Sequence, residues 1–118
     1  MVDQVAQAPN LYALLIGVDC YMPNRLPDGS RYPNLGGCVR DIDHVEAFLK
    51  EMRKVPETHI LKLTASINPA NSEQPLEPSE KLPTRKNIVD GFRQLGVMAP
   101  EGAQVYIHYS GHGGRAIA

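Results

Sequence analysis

The sequence predicts an α/β domain built on a mostly parallel sheet, and three observations carry that expectation. Hydrophobic periodicity switches twice from strand-like to helix-like along the chain. Leu11–Val18 is nearly all apolar, as a strand covered on both faces should be, and 105–109 is dominated by β-branched and aromatic residues. The stretches between strands are long enough for right-handed helical crossovers. The resulting order is β-α-β-α-β. If the second strand lies outside the first and the third lies on its other side, the sheet order is 2-1-3. The first and third strands are then neighbours at a topological switch point, where such sheets bind ligands.

Each element has its own reason. Residues 1–10 are polar, end in Pro9-Asn10 and show no period, which reads as a flexible N-terminal tail. After the first strand, Pro23, Pro27, Pro33 and Asp28-Gly29 make 19–35 a long irregular loop. From Asp41 the period is helical: Ile42, Val45, Leu49 and Met52 share a face with Phe48 beside them, and Pro56 prevents continuation. Asp41 and Asp43 in the first turn and Lys50, Arg53 and Lys54 in the last complement the helix dipole. Residues 59–64 form a short second strand. Residues 65–83 carry Pro69, Pro75, Pro78 and Pro83 among polar residues and read as a mobile insertion loop. Thr84 can cap a second helix through Leu95, with Ile88, Phe92 and Leu95 inward and Gly91 weakening it. Gly96, Pro100 and Gly102 then lead into a third, buried strand.

Bulk properties exclude several function classes. The chain has 118 residues, enough for one small domain with a core. Its formal net charge is -1 with 21% charged residues, so no basic surface for nucleic acid or an anionic membrane is implied. The apolar run at Leu11–Val18 is too short to span a bilayer and meets Asp19 where a signal peptide would carry its cleavage site. Two cysteines, Cys20 and Cys38, are too few for a disulfide framework and suit free thiols in a reducing compartment. A cytoplasmic protein is expected.

The sharpest chemistry lies at 110–114, where the third strand runs into Gly111-His112-Gly113-Gly114. An imidazole between glycines, at the carboxyl end of a core strand, suits proton transfer in a cleft. Gly113 and Gly114 can present N–H groups to a developing oxyanion. The competing reading is a glycine-rich phosphate loop with His112 incidental, which wants a helix directly after it. Cys38, before the first helix, is either a thiol activated by the helix N-terminus or a small buried residue. Asp41 is either a helix-start carboxylate or a cation receptor aimed into the crevice. Cys20 falls in the irregular loop without a visible partner. His108 reads as a core or edge residue, His44 as helix surface and His59 as a strand start. No zinc-ligand spacing joins the four histidines.

Three segments in order, Tyr12-Ala-Leu-Leu-Ile-Gly17, Leu35-Gly-Gly-Cys-Val-Arg-Asp41 and Val105-Tyr-Ile-His-Tyr-Ser-Gly-His-Gly113, resemble the caspase-like cysteine peptidases. The likeness is to the metacaspase and bacterial orthocaspase branch more than to animal caspases, and covers roughly residues 11 to 115. It implies a caspase-like three-layer α/β fold, of which 11–118 would be the N-terminal β-α-β-α-β part of the peptidase domain, with the remaining C-terminal part as its partner. It implies a Cys–His dyad in which His112 is the catalytic histidine and Gly113 an oxyanion donor. The nucleophile would follow a later strand in an Asp-x-Cys setting, and neither Cys20 nor Cys38 matches it. Asp41 would be a carboxylate of an acidic P1 pocket lined by Cys38 and Ser110. Animal caspases place an arginine shortly before the first helix, where Asn34 and Leu35 stand here with Arg31 nearby.

The function so implied is cysteine endopeptidase cleavage of peptide or protein substrates after Arg, less readily after Lys. No cofactor or metal site is expected within the span; calcium would bind through acidic residues outside it. Two other classes stand beside this one: a catalytically inactive caspase homologue serving as an interaction module, and a nucleotide-binding α/β domain using 111–114.

Overall fold

The computed structural model describes residues 10–21, 27–29 and 33–113. The expected tail at 1–9, Arg31, Gly114 and Arg115 lie outside the described residues. Strand β1 (Leu11–Val18) is followed by helix α1 (Cys38–Glu51), strand β2 (Ile60–Ala65), a hairpin of β3 (Ile67–Asn68) and β4 (Asn71–Pro75), helix α2 (Arg85–Met98) and strand β5 (Gln104–Ser110). Strands β2, β1 and β5 form a parallel sheet in that order, the 2-1-3 arrangement read from the sequence. Leu15 pairs with Lys62 on one side and His108 on the other.

The core follows from β1 being central. Alternate side chains of a strand leave opposite faces, and on β1 both sets are apolar. Ala13 and Leu15 bury against Ile42, Leu49 and Val55 on the α1 face. On the other face Leu14 and Ile16 pack with Leu63 and with Leu95 of α2. Glycine lets α2 approach closely: a Cβ on Gly91 would lie 3.2 Å from Leu14 Cδ1. Gly91 therefore belongs to the packing face with Ile88 and Leu95, whereas Phe92, expected inward, is 47% exposed. Thr84 caps α2 as expected, its Oγ1 accepting from Asn87 N at 3.1 Å, and the helix runs on to Met98.

Three further expectations are corrected. Helix α1 starts at Cys38 rather than Asp41 and ends at Glu51, which leaves Arg53 and Lys54 beyond it. Met52 is 70% exposed because it sits past the last turn, outside the apolar face. His59 lies in a 3-10 turn, stacked on Tyr12 with centroids 3.9 Å apart, and not in β2. The span 65–83, expected as a mobile insertion loop, carries the β3–β4 hairpin and a further 3-10 turn (Ser79–Lys81).

The largest departure is β5, which was expected to be buried. Val105, Ile107 and Tyr109 are 51%, 43% and 50% exposed. Its apolar side chains are those of an interior strand, yet its outer edge faces no further described strand.

Candidate active site

The carboxyl ends of β1 and β5 meet at one crevice because Gly17 pairs with Ser110. The chain leaves β1 through Asp19, whose N–H, like that of Cys20, donates to Ala65 O at the end of β2, at 2.9 and 3.0 Å. Asp19 is buried and its carboxylate turns onto the start of α1. Oδ1 accepts from Cys38 N at 2.9 Å and Oδ2 from Val39 N at 3.5 Å. A carboxylate on unsatisfied N-terminal amides stabilises a helix start and complements its dipole. That contact comes from the residue after β1, distant in sequence, which is why the helix begins three residues earlier than its own periodicity suggested. Gly37 precedes it at φ 101°, a left-handed conformation suited to glycine. Gly17 lets the helix sit directly on the strand: a Cβ there would lie 2.6 Å from Ile42 Cγ1 and 3.1 Å from Cys38 O.

His112 stands just beyond β5 and is held on several sides. Its Nε2 lies 2.9 Å from Pro33 O. A carbonyl can only accept, so Nε2 carries the proton and, in the neutral ring, Nδ1 is the basic nitrogen. The His112 N–H donates to the Tyr21 hydroxyl, and the Tyr109 hydroxyl donates to His112 O at 2.6 Å. The Tyr21 ring tilts against the imidazole, with centroids 4.8 Å apart. Gly113 follows, exposed.

Asp41 lies on the α1 side of the sheet, in the first turn of α1. There it is joined to His108 rather than to His112: His108 Nε2 is 3.2 Å from Asp41 Oδ2, and Nδ1 is 2.8 Å from the Tyr106 hydroxyl. Strand alternation puts Tyr106, His108 and Ser110 on the same face. Cys38, half-buried, is the first residue of α1; its carbonyl lies against Gly17, which pairs with Ser110, while Asp41 reaches β5 at His108. His112 is tied instead to Tyr21 and Tyr109. Through Ile16, its pairing partner, Tyr109 shares the α2 face.

Cys20, expected to be without a partner, is 3% exposed and packs with Ala65 and Leu82. Its Sγ donates to Ser72 O at 3.6 Å, and burial, then the Glu77 charge, pushes the thiol pKa up. Such a thiol is a structural one. Glu77 anchors the hairpin by accepting from Ser66 N, Ser66 Oγ and Thr64 Oγ1 at 2.8, 2.7 and 2.8 Å. Burial alone would raise its pKa, but these hydrogen bonds outweigh it and hold the carboxyl below its ordinary value.

Sequence reasoning missed Asp19, Tyr21 and the Pro33 carbonyl. Asp19-Cys-Tyr21 directly follows a buried strand that ends at the switch point, and that position was the signal available. The helix start that a phosphate loop would need after Gly114 lies outside the described residues. Among the described residues no three His, Cys, Asp or Glu side chains are grouped to hold a metal ion. No helix among them is long and apolar enough to cross a membrane.

Comparison with known proteins adds a family. Residues 12–118 match the family model described as metacaspase, peptidase C14 domain. The chain is 32% identical over 106 residues to metacaspase-1 of Mycosarcoma maydis, which covers 90% of this chain and 22% of that protein. It is 32% identical over 104 residues to metacaspase-1B of Aspergillus terreus, covering 87% and 23%. Metacaspase-1 of Pyricularia oryzae is 29% identical over 103 residues, covering 87% and 22%. The chain thus spans about a fifth of the length of these relatives.

Proposed function

The chain belongs to the metacaspase family, and on that premise we propose that it supplies the histidine half of a cysteine endopeptidase cleaving after Arg and less readily after Lys. The observation that carries this reading is the Nε2–Pro33 O contact of 2.9 Å. It favours the tautomer in which Nδ1 can take a thiol proton, at the carboxyl end of a parallel strand where α/β sheets place chemistry.

A cysteine outside 1–118 is the nucleophile. As its sulfur bonds to the scissile carbonyl carbon, its proton passes to His112 Nδ1. Gly113 N–H and the cysteine's own N–H receive the oxyanion. The imidazolium then protonates the leaving amine as the C–N bond breaks. In deacylation His112 takes a proton from water, and the hydroxide oxygen displaces sulfur.

Asp41 receives the P1 cation, with Cys38 and Ser110 beside it. Arginine is preferred because a guanidinium engages a carboxylate through two parallel hydrogen bonds, whereas an ammonium is a point charge. His108, bonded to Asp41 Oδ2 at 3.2 Å, fixes the carboxylate's orientation, and each carboxylate oxygen keeps a lone pair for the guanidinium.

The test is hydrolysis of Arg-P1 peptides by the full-length protein and its His112→Ala variant. Turnover should fall by about 10²–10⁴-fold, the usual worth of a positioned acid–base group. Undiminished activity in the variant would overturn the assignment. In Asp41→Asn, kcat/KM for Arg-P1 peptides should fall by roughly 10- to 100-fold, the loss of a charge-assisted hydrogen-bond pair, with little change for neutral P1 residues.

A further inference from the structure

We propose that Tyr21 and Tyr109 are positioning residues that together clamp the peptide of His112 and so set where its imidazole meets the substrate. This rests on the reading of His112 as the acid–base group. Ser110 is the last residue of β5, and two residues on the main chain of His112 meets two phenols. Buried or half-buried backbone N–H and C=O groups are fixed in place by such partners. Tyr21, just past β1, accepts from His112 N–H, and Tyr109, from β5, donates to His112 O at 2.6 Å.

Both hydroxyls converge over Gly111. A Cβ on that glycine would lie 2.7 Å from the Tyr21 oxygen, 2.7 Å from the Tyr109 oxygen and 3.0 Å from Tyr109 Cζ. Ordinary side-chain contacts do not come that close, so a glycine at 111 is a condition of the clamp. The Tyr21 ring adds a contact to the imidazole itself, at a centroid distance of 4.8 Å and an interplanar angle of 53°. Main chain and ring are therefore held from three segments: the loop after β1, β5, and the Pro33 carbonyl.

The two rings also line an apolar pocket of about 260 Å³ with Val18, Cys20, Leu82 and Ile88. A phenylalanine at either position keeps its ring there and loses only the hydroxyl. That separates positioning from packing. The fold keeps its apolar contacts, while the histidine loses one of the bonds that hold its backbone.

The experiment measures kcat, KM, thermal midpoint and the His112 imidazole ¹⁵N resonances in the full-length protein. The variants are Tyr21→Phe, Tyr109→Phe, the double variant and Gly111→Ala. Each single phenylalanine variant should lower kcat by about 10- to 100-fold, as an ångström-scale misplacement of a catalytic group does. KM should stay within about 2-fold, since a mispositioned acid–base group weakens the transition state and not ground-state binding. The double variant should lose about as much as the worse single one, because the clamp fails as a unit. Gly111→Ala should lose at least as much. In the ¹⁵N spectra the Nε2–H tautomer should give way to a mixture. Unchanged kcat and unchanged imidazole resonances in both single variants overturn the clamp. So do losses in kcat that multiply in the double variant and follow the thermal midpoint. The resonances need no substrate, so an inactive wild type overturns the peptidase reading alone and still leaves the clamp to be judged by its spectra.

Discussion

Strands β1 and β5 lie side by side in register and have similar sequences, apolar and aromatic with few charges, yet their surroundings are opposite. On β1, Ala13, Leu14 and Leu15 are completely buried and Ile16 is 4% exposed. On β5, four of the seven residues are large apolar or aromatic side chains at least 37% exposed. Both strands have the composition that suits a doubly covered position; only β1 occupies one. A helix covers each face of the central strand, while β5 has α1 reaching only part of one face and no described strand on its outer edge. Apolar pattern reports a strand's suitability for burial, and neighbours decide whether burial occurs.

The comparison can be tested by stability measurements on this chain. Leu14→Ala should cost about 2–5 kcal/mol in urea denaturation, the range for emptying a packed core site. Gly17→Ala, which forces a Cβ to within 2.6 Å of Ile42 Cγ1, should cost about 1–3 kcal/mol by overpacking. Asp19→Ala removes the carboxylate that takes the Cys38 and Val39 amides and should cost about 0.5–2 kcal/mol, as lost helix caps do. Val105→Thr on β5 keeps the β-branch and should stay within about 0.5 kcal/mol. A loss there approaching that of Leu14→Ala would show that β5 is covered in solution and would erase the contrast.

The smallest effect concerns the hairpin and is read through pH. Glu77 has a folded pKa below its ordinary value of 4.5, so the unfolded chain binds more protons than the folded one in acid. Its contribution to stability is complete above the unfolded value and is lost as pH falls through the folded one. Denaturation midpoints between pH 5 and pH 3 should therefore decline more steeply in wild type than in Glu77→Gln. Parallel declines would show that the carboxylate does not anchor 65–83. Limited proteolysis asks separately whether that span is mobile: early cleavage there supports the expectation from its composition, and protection opposes it.

The site divides along the same line as the strands. His112 was legible because glycines flank it and a strand delivers it, and Asp41 and Cys38 because they surround a helix start in a recognisable segment. Asp19 was not, since a carboxylate after a strand looks like any loop residue until a helix from twenty residues on is laid across it. Tyr21 and Pro33 escaped for a related reason. Their roles depend on a hydroxyl and a backbone carbonyl meeting His112 across separations of 91 and 79 residues. Nothing local in their sequence context encodes that meeting. Conversely, Phe92 was assigned inward from period alone, and Gly91 beside it proved to be the contact with Leu14.

Periodicity, glycine and proline placement and the two apolar strands determined the β-α-β-α-β order of the main elements and left 2-1-3 as a sheet order open to them. These follow from local backbone preference and from the requirement that crossovers be right-handed. Burial of β5, the true start of α1, the hairpin within 65–83 and the partners of Cys20 and His112 were decided only by tertiary structure. Each depends on which distant group arrives to satisfy a hydrogen bond or to cover a side chain, and that information is held by the packing of the sheet and not by any one stretch of chain.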